Sequence, residues 1–262
     1  MVRHGLSPAA LLQKMRATRY HMCVGKFENG APMTSSAHTP ARRIAVFDFD
    51  GTSIDGQSGS LFTRYLLSHG MMSPARLARL VWWGARYKLH LPFRQGEARE
   101  LVFGALRGQT SEAVDAIMTS FHDDVLAPLY RPQALREVAW CHEKGMLVLL
   151  VSATFEPIAE VAARRMGADG FAATRMERDA QGRYTGRVDG PVVAGAEKCR
   201  AVERWCDARL GAGAWVLERA YADHHTDAPL LAAAHEARAV CPGKTLAISA
   251  RRQGWPVLDW DL

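Results

Sequence analysis

The run "MLVLLV" at positions 146–151 limits the fold more than any other stretch of this chain. Six consecutive apolar residues show no alternation, so a strand built from them must be covered on both faces, as a central strand of a parallel sheet is. A helical pattern, "FEPIAEVAARRMG", follows within a few residues, with Pro157 near its start and Gly167 at its end. The same order recurs along the chain. "RRIAVF" (42–47) reads as a first strand, and "VLERAYAD" (216–223) as a weaker one. "GAEKCRAVERWCDARL" (195–210) reads as a helix, and "LLAAAHEA" (230–237) as a helix leading to a short strand, "RAVC". "FAATRMERDAQGRYTGRV" (171–188) reads as a β-hairpin turning around Gln181 and Gly182. Strands alternating with helices predict an α/β fold, a Rossmann-like parallel sheet.

Between the first two strands lie about ninety residues of mostly helical pattern, far more than a crossover uses. This predicts an inserted helical cap over 55–139, with the core formed by 41–54 and 140–262. Residues 1–40 read as a flexible basic leader, with Ser7 and Pro8 opening a short helix. Its Arg-rich, acid-poor composition is that of a transit peptide, but an over-long gene start is the simpler expectation, with Met33 opening the compact protein.

The net charge of +6 does not signal nucleic acid. Residues 1–43 hold seven Lys and Arg against Glu28 alone, and the remainder holds 26 of each sign. No apolar run reaches the roughly 20 residues of a membrane span, and residues 77–91 are interrupted by Arg79, Arg86 and Lys88. The five cysteines lack paired short spacing, which predicts reduced thiols in a cytoplasmic protein.

Three strands end on polar groups: Asp48, Ser152 and Asp223. Ligands of open parallel sheets bind beyond these carboxyl ends. Asp48, Asp50, Ser152, Asp223 and Asp227 are therefore expected to converge on one crevice, with Lys198 reaching it from the start of a helix. In an extended segment, residues i and i+2 point the same way, about 7 Å apart. Asp48 and Asp50 can then flank one reacting group, one as a nucleophile forming an acyl-phosphate, the other handling protons. Carboxylates gathered around a phosphate need a hard cation, and Mg²⁺ fits. The Ser152 hydroxyl and the N–H groups of Ala153 and Thr154 would hold phosphoryl oxygens.

The order DFDGT (48–52), VSAT (151–154), GAEK (195–198) and YADHHTDAPLL (221–231) resembles the haloacid dehalogenase superfamily of phosphatases. The helical insert after the first motif and the closing "GWPVLDW" look like the subfamily that includes phosphoserine phosphatase. The resemblance implies a Mg²⁺-dependent hydrolase of a small phosphate ester, with Asp48 as nucleophile and Asp50 as general acid and base. It also implies that Asp48, the Asp50 carbonyl and Asp223 hold Mg²⁺, with Asp227 behind them, and that Thr52, Ser152, Ala153 and Lys198 hold the phosphoryl group. His224 and Thr226 depart from the family pattern, which often has a small residue and Asn there. In phosphoserine phosphatases an acid nine residues after the nucleophile meets the substrate amine, and a cap arginine meets its carboxylate. Those places here hold Gln57 and, by ungapped comparison of "GEARELVFGALRG", apolar Val102. Phosphoserine is therefore expected to be a poor substrate, with Arg94 or Arg107 available to supply a replacement charge. Phosphoserine phosphatase proper, a phosphotransferase, and a non-catalytic phosphate-binding module are the other readings.

Plainer explanations compete at several positions. His224 and His225 suit an exposed loop pair better than a zinc site, for want of further ligands at motif spacing. Cys199 and Cys206 suit core packing. Trp82, Trp83 and Tyr87 are expected to pack the insert, ahead of an apolar substrate wall or a membrane-surface helix.

Overall fold

The computed structural model describes residues 41–89, 91 and 96–261; the leader and Arg94 lie outside them. Six parallel strands form the main sheet: β1 (Arg42–Asp48), β2 (Leu147–Phe155), β3 (Gly170–Thr174), β6 (Trp215–Ala222), β7 (Glu236–Val240) and β8 (Val257–Leu258). Their order is β3-β2-β1-β6-β7-β8. The chain runs outward from β1 through β2 to β3, then returns past β1 to build the other half. The reversal leaves a crevice at the carboxyl end of β1, where open sheets bind ligands. Register pairs Asp48 with Val151 and Phe47 with Tyr221, so the ends of β1, β2 and β6 lie level.

The pleat sorts β1 into two faces. Ala45 and Phe47, with Phe49 beyond the strand, join an apolar cluster that includes Phe62, Phe103, Phe121 and Phe155. Ile44 and Val46 face the other way, into a cluster with residues of α7 (Ala196–Leu210) such as Val202 and Cys206. Asp48 shares the parity of Ile44 and Val46 and meets Lys198 of that same helix. Cys199 and Cys206 are both buried there, as core residues.

Between β1 and β2 come α1 (Ser58–Ser68), α2 (Pro74–Lys88), α3 (Glu97–Phe103), α4 (Ser111–Phe121) and α5 (Pro132–Glu143). The helix α6 (Glu156–Met166) ends at Gly167, whose φ of 78° is the left-handed closing conformation that glycine adopts without strain. α2 starts with Ser73 as N-cap and Pro74 at its first position. Contrary to the packing expectation, none of its residues is buried: Trp82 is 61 % and Tyr87 56 % exposed. Its apolar residues outnumber what a single contact face can cover, and only the side bearing Leu77, Leu80 and Trp83 turns inward. No described helix is long and apolar enough to cross a membrane.

The hairpin differs from the sequence expectation. Residues 171–174 belong to β3 of the main sheet, and only β4 (Met176–Arg178) and β5 (Tyr184–Val188) pair antiparallel. The Asp179 side chain pins the turn by accepting from the N–H groups of Gln181 and Arg183. The hairpin leaves the sheet to pack on the insertion. Phe103 meets Tyr184 edge-on at 5.1 Å, and the backbones touch so closely that a Cβ on Gly186 would lie 2.7 Å from Gly104 Cα. The helix α8 (Ala228–Ala233) is shorter than expected because the charges after it belong to β7. Glu236 pairs with Arg219 and Arg238, both at 2.7 Å. The helix α9 (Lys244–Gln253) precedes β8.

Candidate active site

The β1 strand ends at Asp48, and residues 49–54 fold into a tight turn in which Phe49 O accepts from the N–H groups of Thr52, Ser53 and Ile54. Asp50 thus sits just past the strand, in a single parallel bridge to Ile54. The two acids still meet, because Phe49 is fully buried on the opposite side and fixes the parity of its neighbours. Both carboxylates line one cavity of about 230 Å³ with Ser152, Ala153, Lys198, Asp223, His224 and Asp227 among its other walls.

Lys198 Nζ lies 2.7 Å from Asp48 Oδ1 and 2.8 Å from Asp227 Oδ2, with all three side chains nearly sealed from solvent. The Phe49 N–H also donates to Asp48 Oδ1, at 2.7 Å. Burial pushes Asp48 up to about 7 in spite of the ammonium, and Asp227 adds repulsion. Lys198 is pushed up to about 12 because two carboxylates outweigh its own desolvation. Asp223 is raised to about 6, by burial and then by Asp48. Oxygens of Asp48, Asp223 and Asp227 all lie within 4.8 Å of one another. With all three carboxylates ionised, one ammonium leaves two negative charges uncompensated, and among the described residues the buried Asp227 Oδ1 has no hydrogen-bond partner. This donor set, hard oxygens with a doubly negative balance, fits a divalent cation.

Asp50 is held differently. The Ser58 N–H donates to its Oδ1 at 2.7 Å and the Ser58 hydroxyl to its Oδ2 at 3.1 Å. Burial still raises it to about 6, the hydrogen bonds from Ser58 opposing. Gly51 is needed where it stands: its φ is 78°, and a Cβ there would lie 2.3 Å from Asp223 Oδ2.

Other expected residues take other positions. Thr52 does not line the cavity; it is fully buried, and its hydroxyl donates to Asp223 Oδ1 at 3.2 Å. Its hydroxyl is thus turned to a carboxylate and not to the cavity. Ser152 lines the cavity, but its Oγ already accepts the Thr154 N–H at 3.1 Å. His224 and His225 are exposed, and His224 Nδ1 hydrogen-bonds Thr226 Oγ1 at 2.9 Å. The two departures from the motif thus hydrogen-bond each other on the wall of the same cavity.

A second cavity, about 490 Å³, opens from the first between α1, α2, α3 and the end of β2. Asp50, Gln57, Arg99 and Ala153 line both. Arg107 lines neither; it is exposed on the wall of a separate cavity beside Arg76 and Arg187. Arg99 is the residue that sequence comparison missed. It lies one helical turn before Val102, which lines the second cavity, and its Nε donates to the Ala153 carbonyl at 2.9 Å. The i, i+3 spacing of Arg99 and Val102 was the available signal.

Residues 45–232 match the family described as haloacid dehalogenase-like hydrolase. A phosphoserine phosphatase of Mycobacterium tuberculosis is 29% identical over 82% of this chain and 70% of its own. A histidinol-phosphatase of Neisseria meningitidis is 24% identical over 84% of this chain and 99% of its own. A crystal structure of a Bordetella pertussis protein of unknown function superposes with a TM-score of 0.74 at 29% identity, over 84% of this chain and 99% of that one.

Proposed function

The chain belongs to the haloacid dehalogenase-like hydrolases and is a phosphatase, and on that premise we propose that it cleaves a phosphomonoester through an aspartyl-phosphate on Asp48. The observation that carries the reading is the position of Asp48: last residue of β1, 2.7 Å from Lys198, in one cavity with Asp50. The Asp48 carboxylate attacks phosphorus, forming a carboxyl O–P bond as the ester P–O bond breaks. The Asp50 carboxyl gives its proton to the departing alkoxide, and its raised pKa, about 6, keeps that proton available near neutrality. The resulting Asp50 carboxylate then takes a proton from water as that water attacks phosphorus. The O–P bond to Asp48 breaks and inorganic phosphate leaves. Lys198 stays charged throughout and holds the Asp48 oxygen. Asp48, Asp223 and the Asp50 carbonyl, with Asp227 behind them, would hold Mg²⁺, which when bound would neutralise charge at the phosphoryl oxygens. The insertion serves as the cap, covering the reacting groups and reading the alcohol.

The substrate carries a leaving group less charged than serine. Among the described residues the larger cavity has no carboxylate besides Asp50, and Gln57 brings no negative charge to a substrate ammonium. A substrate carboxylate does find a cation in Arg99, so only the amine goes unpaired, an asymmetry that still disfavours phosphoserine. Rapid mixing with substrate, followed by borohydride reduction, is expected to convert position 48 to homoserine, as read by peptide mass spectrometry. Modification elsewhere or none at all would overturn the mechanism. A kcat/KM on phosphoserine equal to or above that on every uncharged-alcohol phosphate tested would overturn the substrate reading.

A further inference from the structure

Two glycines of the insertion have no backbone reason to be glycine. Gly59 stands in the first turn of α1 and Gly84 in the interior of α2. Neither has a positive φ, and among the described residues a Cβ on either would meet nothing within 4 Å. A glycine in a helix interior weakens the helix relative to alanine, so Gly84 costs stability with no close contact in return. What the two share is a place on the wall of the larger cavity.

The rest of that wall is mostly apolar. Leu80, Trp83, Val102 and Phe155 face the space, and Val102 and Phe155 are almost wholly buried behind it. The Trp83 ring is stacked on Tyr87 with centroids 5.5 Å apart and planes 15° from parallel, which fixes its orientation. At about 30 Å³ per water, 490 Å³ holds roughly sixteen waters, more than twice the non-hydrogen atoms of a serine leaving group. The volume falls within the range of small-molecule sites. The cavity joins the reacting groups at Asp50, Gln57, Arg99 and Ala153, the point where an ester oxygen must lie for Asp50 to protonate it.

We propose that the larger cavity takes an alcohol leaving group with a bulky apolar or aromatic body, and that Gly59 and Gly84 keep its depth open. The proposal rests on the aspartyl-phosphate reading, in which the Asp50 side of the site faces the leaving group. Trp83 contributes an aromatic side chain to the wall, and the phosphate end stays small and charged. The substrate class is a phosphate monoester of a primary alcohol bearing a ring or branched apolar group, without a cationic amine beside the ester.

The test compares ethyl phosphate with 2-phenylethyl phosphate, whose leaving alcohols have similar basicity, and uses the corresponding phosphonates as non-hydrolysable probes. With Mg²⁺ present, kcat/KM is expected to be at least tenfold higher for the phenylethyl ester. Calorimetry should show the phenylethyl phosphonate binding at least tenfold more tightly than the ethyl one. Gly84→Leu, which fills the space, should lower both ratios tenfold or more, with a thermal melt confirming that it folds. If it does not fold, Gly59→Leu fills the opposite wall and serves the same purpose. Equal values for the two chain sizes, or ratios unmoved by the filling variants, would overturn the proposal. The phosphonate preference without turnover of either ester would sink the aspartyl-phosphate reading while leaving the cavity assignment standing.

Discussion

The two cavities share four residues yet obey opposite rules. In the smaller one charge decides the arrangement: Lys198 between Asp48 and Asp227, Thr52 on Asp223, Ser58 on Asp50. In the larger one apolar side chains such as Leu80, Trp83, Val102 and Phe155 stand among polar ones such as Ser60, Thr63 and Arg99, and the informative residues are two that lack side chains. The first is set by the sheet, because its groups sit at strand ends and helix starts whose register is fixed by packing. The second is set by the insertion, where a helix such as α2 is free to present bulk or space. Chemistry and selectivity are thus carried by different parts of the chain.

The largest way to break this contrast is in the charged half. Asp48→Asn should lower kcat by a factor on the order of 10⁴ or more, as loss of a nucleophile does. Asp50→Asn should cost roughly 10²- to 10⁴-fold, the range of general acid–base catalysis, while its backbone carbonyl is retained. Steady-state assays check both, and near wild-type turnover by the first variant would remove the charged cavity from the reaction.

Next in size is the metal. Asp48 at about 7 and Asp223 at about 6 are raised above their unfolded values, so their protonated forms favour the folded state. That contribution is fully present below about pH 4 and is lost as pH rises through 6 to 7. A divalent cation needs them ionised. The increase in melting temperature caused by Mg²⁺ should therefore be larger at pH 7.5 than at pH 5, and chelation should abolish turnover. A Mg²⁺ shift that shrinks as pH rises would contradict the assignment of these carboxylates.

A smaller effect sharpens the comparison at its border. Arg99→Ala should lower kcat/KM about 10- to 100-fold, since Arg99 touches both cavities and holds the Ala153 carbonyl. Arg107→Ala should change it less than about twofold, as an exposed surface substitution away from the site does. Parallel kinetics on the two variants decide the matter. The smallest effect is a gain: Gly84→Ala should stabilise the protein by about 0.5–1 kcal/mol through helix propensity, as read from chemical denaturation.

The charged half was legible in the sequence because four short motifs each fall at a strand end or helix start, and the sheet can bring those points together in one way. The orientation of Thr52 was not legible, since a motif gives a residue's neighbourhood but not whether its hydroxyl turns toward the cavity or toward Asp223. The apolar half was hardly legible. An ungapped comparison places a helix residue only to within a turn, which is the distance from Val102 to Arg99. The pattern of α2 could not say that Trp83 faces a cavity while Trp82 faces solvent. Depth created by absent side chains leaves no mark in composition at all.

The alternation of β1 gives the reaction a reading frame of two. Odd positions from Ala45 to Phe49 belong to the greasy side, and even positions from Ile44 to Asp50 belong to the side that ends in acid. Deleting or inserting one residue within this strand would leave its composition almost untouched and yet exchange the two registers. A phenyl ring would then stand beside Lys198 and a carboxylate would be driven into the aromatic cluster. Such indels should be far more damaging here than most point substitutions, so length within β1 is constrained as tightly as identity.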